Sequence, residues 1–399
     1  MARNNAVLMA RNNGHSHFSI FYVIVYLLAC RPCCCSLQER SPVAFFIFGD
    51  SGVDVGNNNY IKSGNENRAN FEPYGINGVF GGPTGRYSDG RVMVDFIAEY
   101  AKLPYIPPYL EPCAEFVHGA NFASAGAGIL PKTNQDEPIH FWKQIEYFDD
   151  LQSSLRKKLG EAKANEMIAN AVYFISMGTN DYISGYLGTP IMQQLYSPQE
   201  YVGMVIGNLT QALQILYDKG ARKFGFLSLS PLGCFPSFRA VVNPKAGNNE
   251  GGCFEEASAL GRAHNQALSA VLKSLRHHLK GFRYANPNFY NWLYDRIINP
   301  TKFGFREGLV ACCGIGSFRG TYTCGKGRTV KEYELCDDPK THVWWDSFHP
   351  TERIHEQFAL ELWGGAPQAE GSYNLEALFN YDLGTTIADI VDIDVNVSS

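Results

Sequence analysis

Short apolar runs alternate with amphipathic helical patterns along most of this 399-residue chain. The apolar runs at 43–48, 171–177, 223–229 and 282–285 each predict a buried strand. Apolar residues recur at helical spacing over 141–159, 198–219, 254–279, 289–298 and 352–362. This alternation predicts an α/β fold with a central parallel sheet between two layers of helices. Without a linker or an internal repeat, we expect one domain over 37–370 and a C-terminal tail over 371–399.

The first strand ends in a polar turn that offers a serine hydroxyl. Residues 45–59 read FFIFGDSGVDVGNNN, so that Asp50 and Ser51 follow the apolar run directly. Ligands of open α/β sheets collect at the carboxyl ends of the strands. Ser51 is therefore a candidate nucleophile, although an ordinary strand-to-turn transition explains this stretch alone at least as well.

A serine nucleophile needs a base, and the base needs an orienting group. Asp346 and His349 stand three residues apart in WDSFHP, just before the helical pattern at 352–362. Pro350 disfavours helical geometry at His349 and predicts a tight loop that projects both side chains into one cleft. The alternative is a surface Asp and His at a helix start. None of the other histidines comes with an Asp in so compact a context.

The oxyanion of acyl transfer needs hydrogen-bond donors, and two segments offer them. The loop over 124–128, SAGAG, is rich in glycine, which lets backbone N–H groups approach a ligand closely. Asn180 follows the strand at 171–177 and offers a side-chain amide. Taken singly, both are also ordinary turn residues.

Two other kinds of site are disfavoured. There is no G-x-S-x-G motif, which argues against an ordinary nucleophile elbow. Residues 320–327, GTYTCGKG, resemble a phosphate loop, but Gly327 replaces the required Ser or Thr. The formal net charge of −5 gives no basic footprint for nucleic acid. We expect no cofactor, no metal and no nucleic-acid partner.

The N-terminus is typical of a targeting segment. The apolar run over 18–30 follows Arg3 and Arg11, has the length of a signal-peptide core and is too short to span a bilayer. We expect a signal peptide over 1–36, cleaved near Cys35 or Ser36, with a short membrane anchor as the alternative. The sequence MARNN occurs at residues 1 and 9, so either methionine could start it. No later stretch is apolar enough to span a membrane.

The cysteines and sequons fit a secreted protein. Seven cysteines follow the N-terminal segment 1–36, and they predict disulfides with one thiol left over. They are Cys113, Cys234, Cys253, Cys312, Cys313, Cys324 and Cys336. Cys234 with Cys253 is the best single pair. A zinc site in the last four is the weaker alternative, because no C-x-x-C pair is present. Asn208 and Asn396 lie in N-x-S/T sequons, so both are candidate glycosylation sites.

Seven segments together make the chain resemble the plant GDSL esterase/lipase family of the SGNH hydrolase superfamily. In chain order they read FGDSGVDVGNNN, GPTGRYSDGR, NFASAGAGIL, GTNDY, PLGC, ACCG and WDSFHPTE. The resemblance implies a flavodoxin-like three-layer α/β/α fold and a secreted enzyme that hydrolyses carboxylic esters, often of lipids. It implies Ser51 as nucleophile, His349 as base and Asp346 as its orienting group. The oxyanion donors it implies are the N–H groups of Ser51 and Gly126 and the amide of Asn180. Gly52 departs from the family motif, which has Leu there.

Two alternative functions remain open at this point. The same acyl-enzyme could pass its acyl group to an alcohol, which would make the protein an acyltransferase. An inactive binding protein that keeps the fold is the other, although all the catalytic segments are intact. We expect a small-molecule or lipid ester as substrate, and nothing in the sequence implies a protein partner.

Overall fold

The main sheet of the protein is parallel throughout. The computed structural model describes residues 42–62, 64–135, 138–243, 252–368 and 371–383. The strands of this sheet are β1 (Phe45–Gly49), β2 (Gly119–Asn121), β3 (Val172–Ser176), β4 (Lys223–Phe226) and β5 (Arg283–Ala285). Their order is β2-β1-β3-β4-β5, and every neighbouring pair runs parallel.

Helices cover both faces of this sheet. They are α1 (Met93–Tyr100), α2 (Phe141–Leu159), α3 (Glu161–Asn170), α4 (Pro190–Leu195), α5 (Pro198–Asp218), α6 (Pro236–Val242), α7 (Glu255–His278), α8 (Phe289–Ile298), α9 (Glu352–Gly364) and α10 (Leu375–Asn380). Successive side chains of a strand point to opposite faces. Accordingly, Phe45 packs on Phe379 of α10 at a centroid distance of 5.5 Å, whereas Phe46 packs on Phe148 of α2 at 5.1 Å. The predicted three-layer α/β/α fold is confirmed.

The first strand is buried at every position, as expected for the centre of a parallel sheet covered on both sides. Gly49 at its end pairs with Ser176 at the end of β3. The carboxyl ends of these two neighbouring strands are therefore level. The residues that follow them, Ser51 and Asn180 among them, emerge at one edge of the sheet.

Several boundaries differ from those predicted. The predicted strand at 223–229 ends at Phe226, and the short helices α3, α4 and α6 were not predicted. The TGRYSDGR stretch at 84–91 also predicts that Ser88 or Asp89 caps the helix that follows it, and this prediction is wrong. Asp95 instead accepts the Val92 N–H at the start of α1, while Asp89 accepts the N–H of Glu352 at the start of α9. Helix α10 lies beyond the expected boundary at residue 370 and buries Leu375 and Phe379.

Six of the seven cysteines predicted to form disulfides are paired. The bridges among the described residues are Cys234–Cys253, Cys312–Cys336 and Cys313–Cys324. The pairing predicted for Cys234 is therefore confirmed, and Cys113 is the exposed thiol left over. The bridge Cys312–Cys336 joins the residues that flank a short antiparallel ribbon, β6 (Cys313–Gly314) and β7 (Glu334–Leu335), and Cys313–Cys324 ties β6 to the segment between the two strands.

Some predicted features lie outside the described residues: the N-terminal segment 1–36 with its four cysteines, the end of the tail and Asn396. Within the described part of the chain, no helix is long and apolar enough to cross a membrane. The other sequon residue, Asn208, lies half-buried on α5, where its side-chain amide donates to the Met204 carbonyl at 3.0 Å.

Candidate active site

Ser51 stands in the tight turn at the end of β1. A Cβ on Gly49 would lie 2.4 Å from the Val53 side chain and 2.8 Å from the Ser176 carbonyl, so only glycine fits there. The buried side chain of Gln144 donates to the Gly49 carbonyl at 2.8 Å and accepts the Gly49 N–H at 2.9 Å. This glycine and its amide partner fix the place where the chain turns, and Ser51 just after the turn is half-buried.

The loop that carries Asp346 and His349 is tight, as predicted. One oxygen of Asp346 accepts the N–H groups of Phe348 and His349 at 2.9 and 2.8 Å. The Trp345 N–H donates to the His349 carbonyl at 2.8 Å, which closes the turn. The carboxylate thus folds its own loop, and the three-residue spacing places it beside the imidazole.

The structure brings the three side chains together in one hydrogen-bonded chain. His349 Nε2 lies 2.8 Å from Ser51 Oγ, across 298 residues of sequence. His349 Nδ1 lies 2.8 Å from Asp346 Oδ1. Asp346 is fully buried, whereas 11% of the His349 side chain is exposed. In this arrangement the imidazole can take a proton from Ser51 while the carboxylate fixes its tautomer.

The environment of Asp346 keeps this carboxylate ionised. Burial alone would raise its pKa, because a low-dielectric interior disfavours charge. The neighbouring His349, the Phe348 N–H and the Tyr74 hydroxyl outweigh burial and hold the pKa of Asp346 below its ordinary value. At neutral pH the group is a negative charge facing Nδ1 of the imidazole.

Sequence reasoning missed two residues behind Asp346. The Tyr74 hydroxyl donates to Asp346 Oδ2 at 2.7 Å, and Arg328 Nη2 donates to the Tyr74 oxygen at 3.0 Å. The Arg328 side chain is fully buried, and its guanidinium lies 4.0 Å from the centroid of the Tyr322 ring. Tyr74 and Asp346 are 272 residues apart. Only the tertiary fold joins them, so no local pattern could have revealed the contact.

The candidate oxyanion donors lie around the same cavity. Ser51, Gly126 and Asn180 all contribute to its wall. Among the described residues, the backbone N–H groups of Ser51 and Gly126 have no acceptor. One hydrogen of the Asn180 amide is donated to the Ala127 carbonyl at 2.9 Å. An amide carries two hydrogens, so the second remains for a ligand.

Two buried carboxylates hold in place the loop over 124–128, which we call the donor loop. Asp54 accepts the Ala125 N–H at 3.1 Å, and Asp181, next to Asn180, accepts the N–H groups of Ile129 and Leu130 at 2.8 and 2.9 Å. Burial raises the pKa of each carboxyl to about 6, although these N–H groups oppose the rise. Both residues stand within segments that the sequence analysis had singled out, but their anchoring role was not predicted.

The cavity over Ser51 has a volume of about 390 Å³. Gly52 forms part of its wall, and its backbone is not in the left-handed region. A Cβ added there would lie 3.3 Å from Asp50 Oδ1 and 3.6 Å from Ser176 Oγ. A side chain at this position would thus meet no severe clash at its first atom. The departure from the family motif is therefore not required by a strained backbone at Gly52.

No cluster of three or more His, Cys, Asp or Glu side chains suited to a metal occurs in the described part of the chain. Residue Cys324 of the segment that resembles a phosphate loop is bonded to Cys313.

Two histidines other than His349 are buried in helices. His264 and His355 lie within helices α7 and α9, and burial lowers the pKa of each to about 3.

Comparison with known proteins identifies the family of this chain. Residues 45–362 match the family described as GDSL-like lipase/acylhydrolase. The chain belongs to the GDSL esterase/lipase family. It is 44% identical to GDSL esterase/lipase 5 of Arabidopsis thaliana, over 86% of this chain and 88% of that protein. It is also 44% identical to a GDSL lipase of Tanacetum cinerariifolium, over 90% of this chain and 94% of that protein. Membership makes the protein a carboxylic ester hydrolase that acts on small-molecule esters.

Proposed function

We propose that this family member is a serine esterase in which Ser51 is the nucleophile, His349 the general base and Asp346 the group that orients the base. The observation that carries the proposal is the hydrogen-bonded chain from Ser51 Oγ through both nitrogens of His349 to Asp346. Nucleophile, base and orienting group within hydrogen-bond reach are the geometric signature of this chemistry.

In the first half-reaction, His349 Nε2 removes the proton of Ser51 while Oγ attacks the ester carbonyl carbon. The buried charge of Asp346 stabilises the imidazolium that forms. The tetrahedral intermediate then collapses, the bond to the alcohol oxygen breaks, and the Nε2 proton passes to the departing alcohol. The product of this step is an acyl-enzyme on Ser51.

The second half-reaction repeats these transfers with water. His349 removes a proton from water, the resulting oxygen attacks the acyl carbon, and the Ser51 oxygen leaves with the Nε2 proton. The carboxylic acid is released and the enzyme returns to its starting state. In both halves the N–H groups of Ser51 and Gly126 and the Asn180 amide bind the oxyanion. Their shared place on the cavity wall supports this assignment.

Substitution of the proposed groups tests the proposal. Ser51→Ala and His349→Ala should each abolish hydrolysis of short p-nitrophenyl esters and leave the circular-dichroism spectrum unchanged. Asn180→Ala should keep the fold and lose about 2.7–4 kcal/mol of transition-state stabilisation, as other single oxyanion donors do. Full activity in correctly folded Ser51→Ala would refute the nucleophile assignment.

We further propose that the protein is secreted. The apolar run over 18–30 supports a signal peptide, and three disulfides among the described residues suit an oxidising compartment. The full chain expressed in plant cells should appear in the medium with its N-terminus near residue 36. Retention of the intact N-terminus on an intracellular protein would contradict secretion.

A further inference from the structure

Part of the wall of the cavity over Ser51 is apolar, and we call the space beside it the apolar chamber. This part of the wall is formed by Leu227, Leu229, Phe235, Phe289, Leu293 and Trp344. Such a lining holds the hydrocarbon part of an ester out of water. The chamber is therefore the place for one arm of the substrate, the acyl or the alcohol side.

A buried histidine of the cavity wall has no hydrogen-bond partner. His355, the fourth residue of α9, is 3% exposed, and neither of its ring nitrogens makes a hydrogen bond in the described structure. Ser228, in the same wall, is different: its hydroxyl donates to the Pro287 carbonyl and accepts the Phe289 N–H, both at 3.1 Å. A serine of this wall is thus satisfied by the protein, whereas the imidazole is not.

An unpartnered imidazole in an apolar wall is costly, because it has lost hydration and gained no hydrogen bond. Burial and the nearby His349 lower the pKa of His355 to about 3, so the ring is neutral at ordinary pH. A neutral imidazole has one N–H donor and one acceptor nitrogen. The second side-chain torsion of histidine is broad, so the ring can turn an edge toward an oxygen in the cavity.

We propose that the ester bound at this site carries a hydroxyl group on the arm that enters the chamber, and that this hydroxyl hydrogen-bonds to His355. A hydroxyl both donates and accepts, so it satisfies whichever ring nitrogen faces it. His355 is then a specificity-determining residue outside the hydrogen-bonded chain of Ser51, His349 and Asp346. The inference rests on the proposed esterase function, because it concerns the same cavity.

Matched pairs of esters test this directly. One series compares p-nitrophenyl hexanoate with its 3- and 6-hydroxy derivatives, which do not readily close to a lactone, and a second compares hexyl acetate with the corresponding hydroxyhexyl acetates. For at least one hydroxylated ester we expect a kcat/KM at least about tenfold above that of its plain partner, because a site built to bond a hydroxyl rejects the analogue that lacks it. The series in which the preference appears identifies the arm.

His355→Phe should reduce that preference to within about twofold while hydrolysis of the plain ester persists, because an apolar ring fills the wall without a polar edge. His355→Gln should keep part of the preference. The matched control is His342→Phe. His342 is a half-buried histidine shortly before α9 that does not line this cavity. It should leave the preference intact.

Three outcomes would contradict the inference about His355 or the proposed function. Equal kcat/KM for every plain and hydroxylated pair in the wild-type protein would mean that water satisfies His355 and would overturn the inference, even if His355→Phe failed to fold. A preference that survives in folded His355→Phe would also overturn it. Absence of any ester hydrolysis, together with no labelling of Ser51 by a fluorophosphonate, would instead reject the proposed function.

Discussion

Asp346 is the residue on which the candidate site is built. Its two oxygens accept the N–H groups of Phe348 and His349, the Nδ1–H of His349 and the Tyr74 hydroxyl. A buried carboxylate with several donors is held in one orientation, because any rotation would leave charge unpaired. The same side chain therefore folds the loop and holds the His349 imidazole in place.

Removing one of these donors should slow the reaction without affecting substrate binding. Tyr74→Phe takes away the hydroxyl on Asp346 Oδ2, and Tyr74 does not belong to the cavity wall. We expect kcat to fall by about 5- to 30-fold, the equivalent of roughly 1–2 kcal/mol, with little change in KM. Steady-state kinetics with a short p-nitrophenyl ester measure both constants.

Tyr60→Phe is the control for this change, because the Tyr60 side chain is exposed and takes no part in the candidate site. It should leave both constants unchanged. A Tyr74→Phe enzyme with wild-type kcat would show that the other donors suffice to position Asp346, and that Tyr74 has no positioning role.

At the scale of elements, the site depends on a link between the segments that follow β2 and β3, the two strands on either side of β1. Asp181 begins a seven-residue π-helical segment directly after Asn180. It binds the N–H groups of Ile129 and Leu130 and the Thr133 hydroxyl, at 2.7–2.9 Å. This carboxylate links the turn after β3 to the donor loop that follows β2. The two segments that carry the candidate oxyanion donors are thus linked by a buried carboxylate.

Asp181→Ala should damage both stability and activity. Two buried donors and one partly buried donor would lose their acceptor, so we expect the free energy of unfolding to fall by at least about 2 kcal/mol. The kcat should fall as well, because the donor loop is no longer fixed to the turn that carries Asn180. Chemical denaturation and ester hydrolysis measure the two effects.

The exposed Asp150 of α2 offers a matched control. Asp150→Ala should change the unfolding free energy by no more than about 0.5 kcal/mol, as surface changes usually do. An Asp181→Ala protein as stable and active as this control would contradict the anchoring role.

At the scale of the whole molecule, buried histidines make the fold sensitive to acid. His264 of α7 is buried beside Tyr182, whose hydroxyl lies 2.9 Å from Nδ1, and burial lowers its pKa to about 3. An unfolded histidine has a pKa of about 6.5. Between these values the unfolded chain binds a proton that the native protein does not. The stability that neutral His264 contributes is therefore lost as pH falls below 6.5.

His264→Gln should remove this sensitivity, because glutamine does not titrate. The unfolding free energy of the wild type minus that of the variant should decrease by about 1.4 kcal/mol for each unit by which the pH is lowered from 6 to 4. Urea denaturation across this range measures it, and the contributions of buried carboxylates cancel in the difference. A difference that stays constant with pH would show that His264 is protonated in the native protein.

Much of this arrangement could be predicted from the sequence, for physical reasons. The buried strands are nearly continuous apolar runs, and the switch to Gly-Asp-Ser at Ser51 marks the end of one of them. The D-x-x-H-P spacing fixes a loop through local bonds of Asp346, which a short motif can encode. The placement of Ser51, Asp346 and His349 in one cleft agrees with that expectation.

What the sequence could not reveal depends on contacts between distant segments. Tyr74 and Arg328 carry no local pattern, yet the fold places both behind Asp346. The buried Gln144 looks like any polar position of an amphipathic helix, but it binds both backbone groups of Gly49. The sequence around Asp89 predicts a cap of the adjacent helix, whereas its carboxylate accepts the N–H of Glu352, 263 residues away.

The most direct test of the central claim is covalent labelling of the purified enzyme with a fluorophosphonate, with the modified residue located by peptide mass spectrometry. Such a reagent reacts with a serine whose proton is removed by a neighbouring base. We predict stoichiometric labelling of Ser51, loss of ester hydrolysis in proportion, and no labelling of His349→Ala. An enzyme that hydrolyses esters while Ser51 stays unmodified, or that is labelled at another serine, would contradict the account.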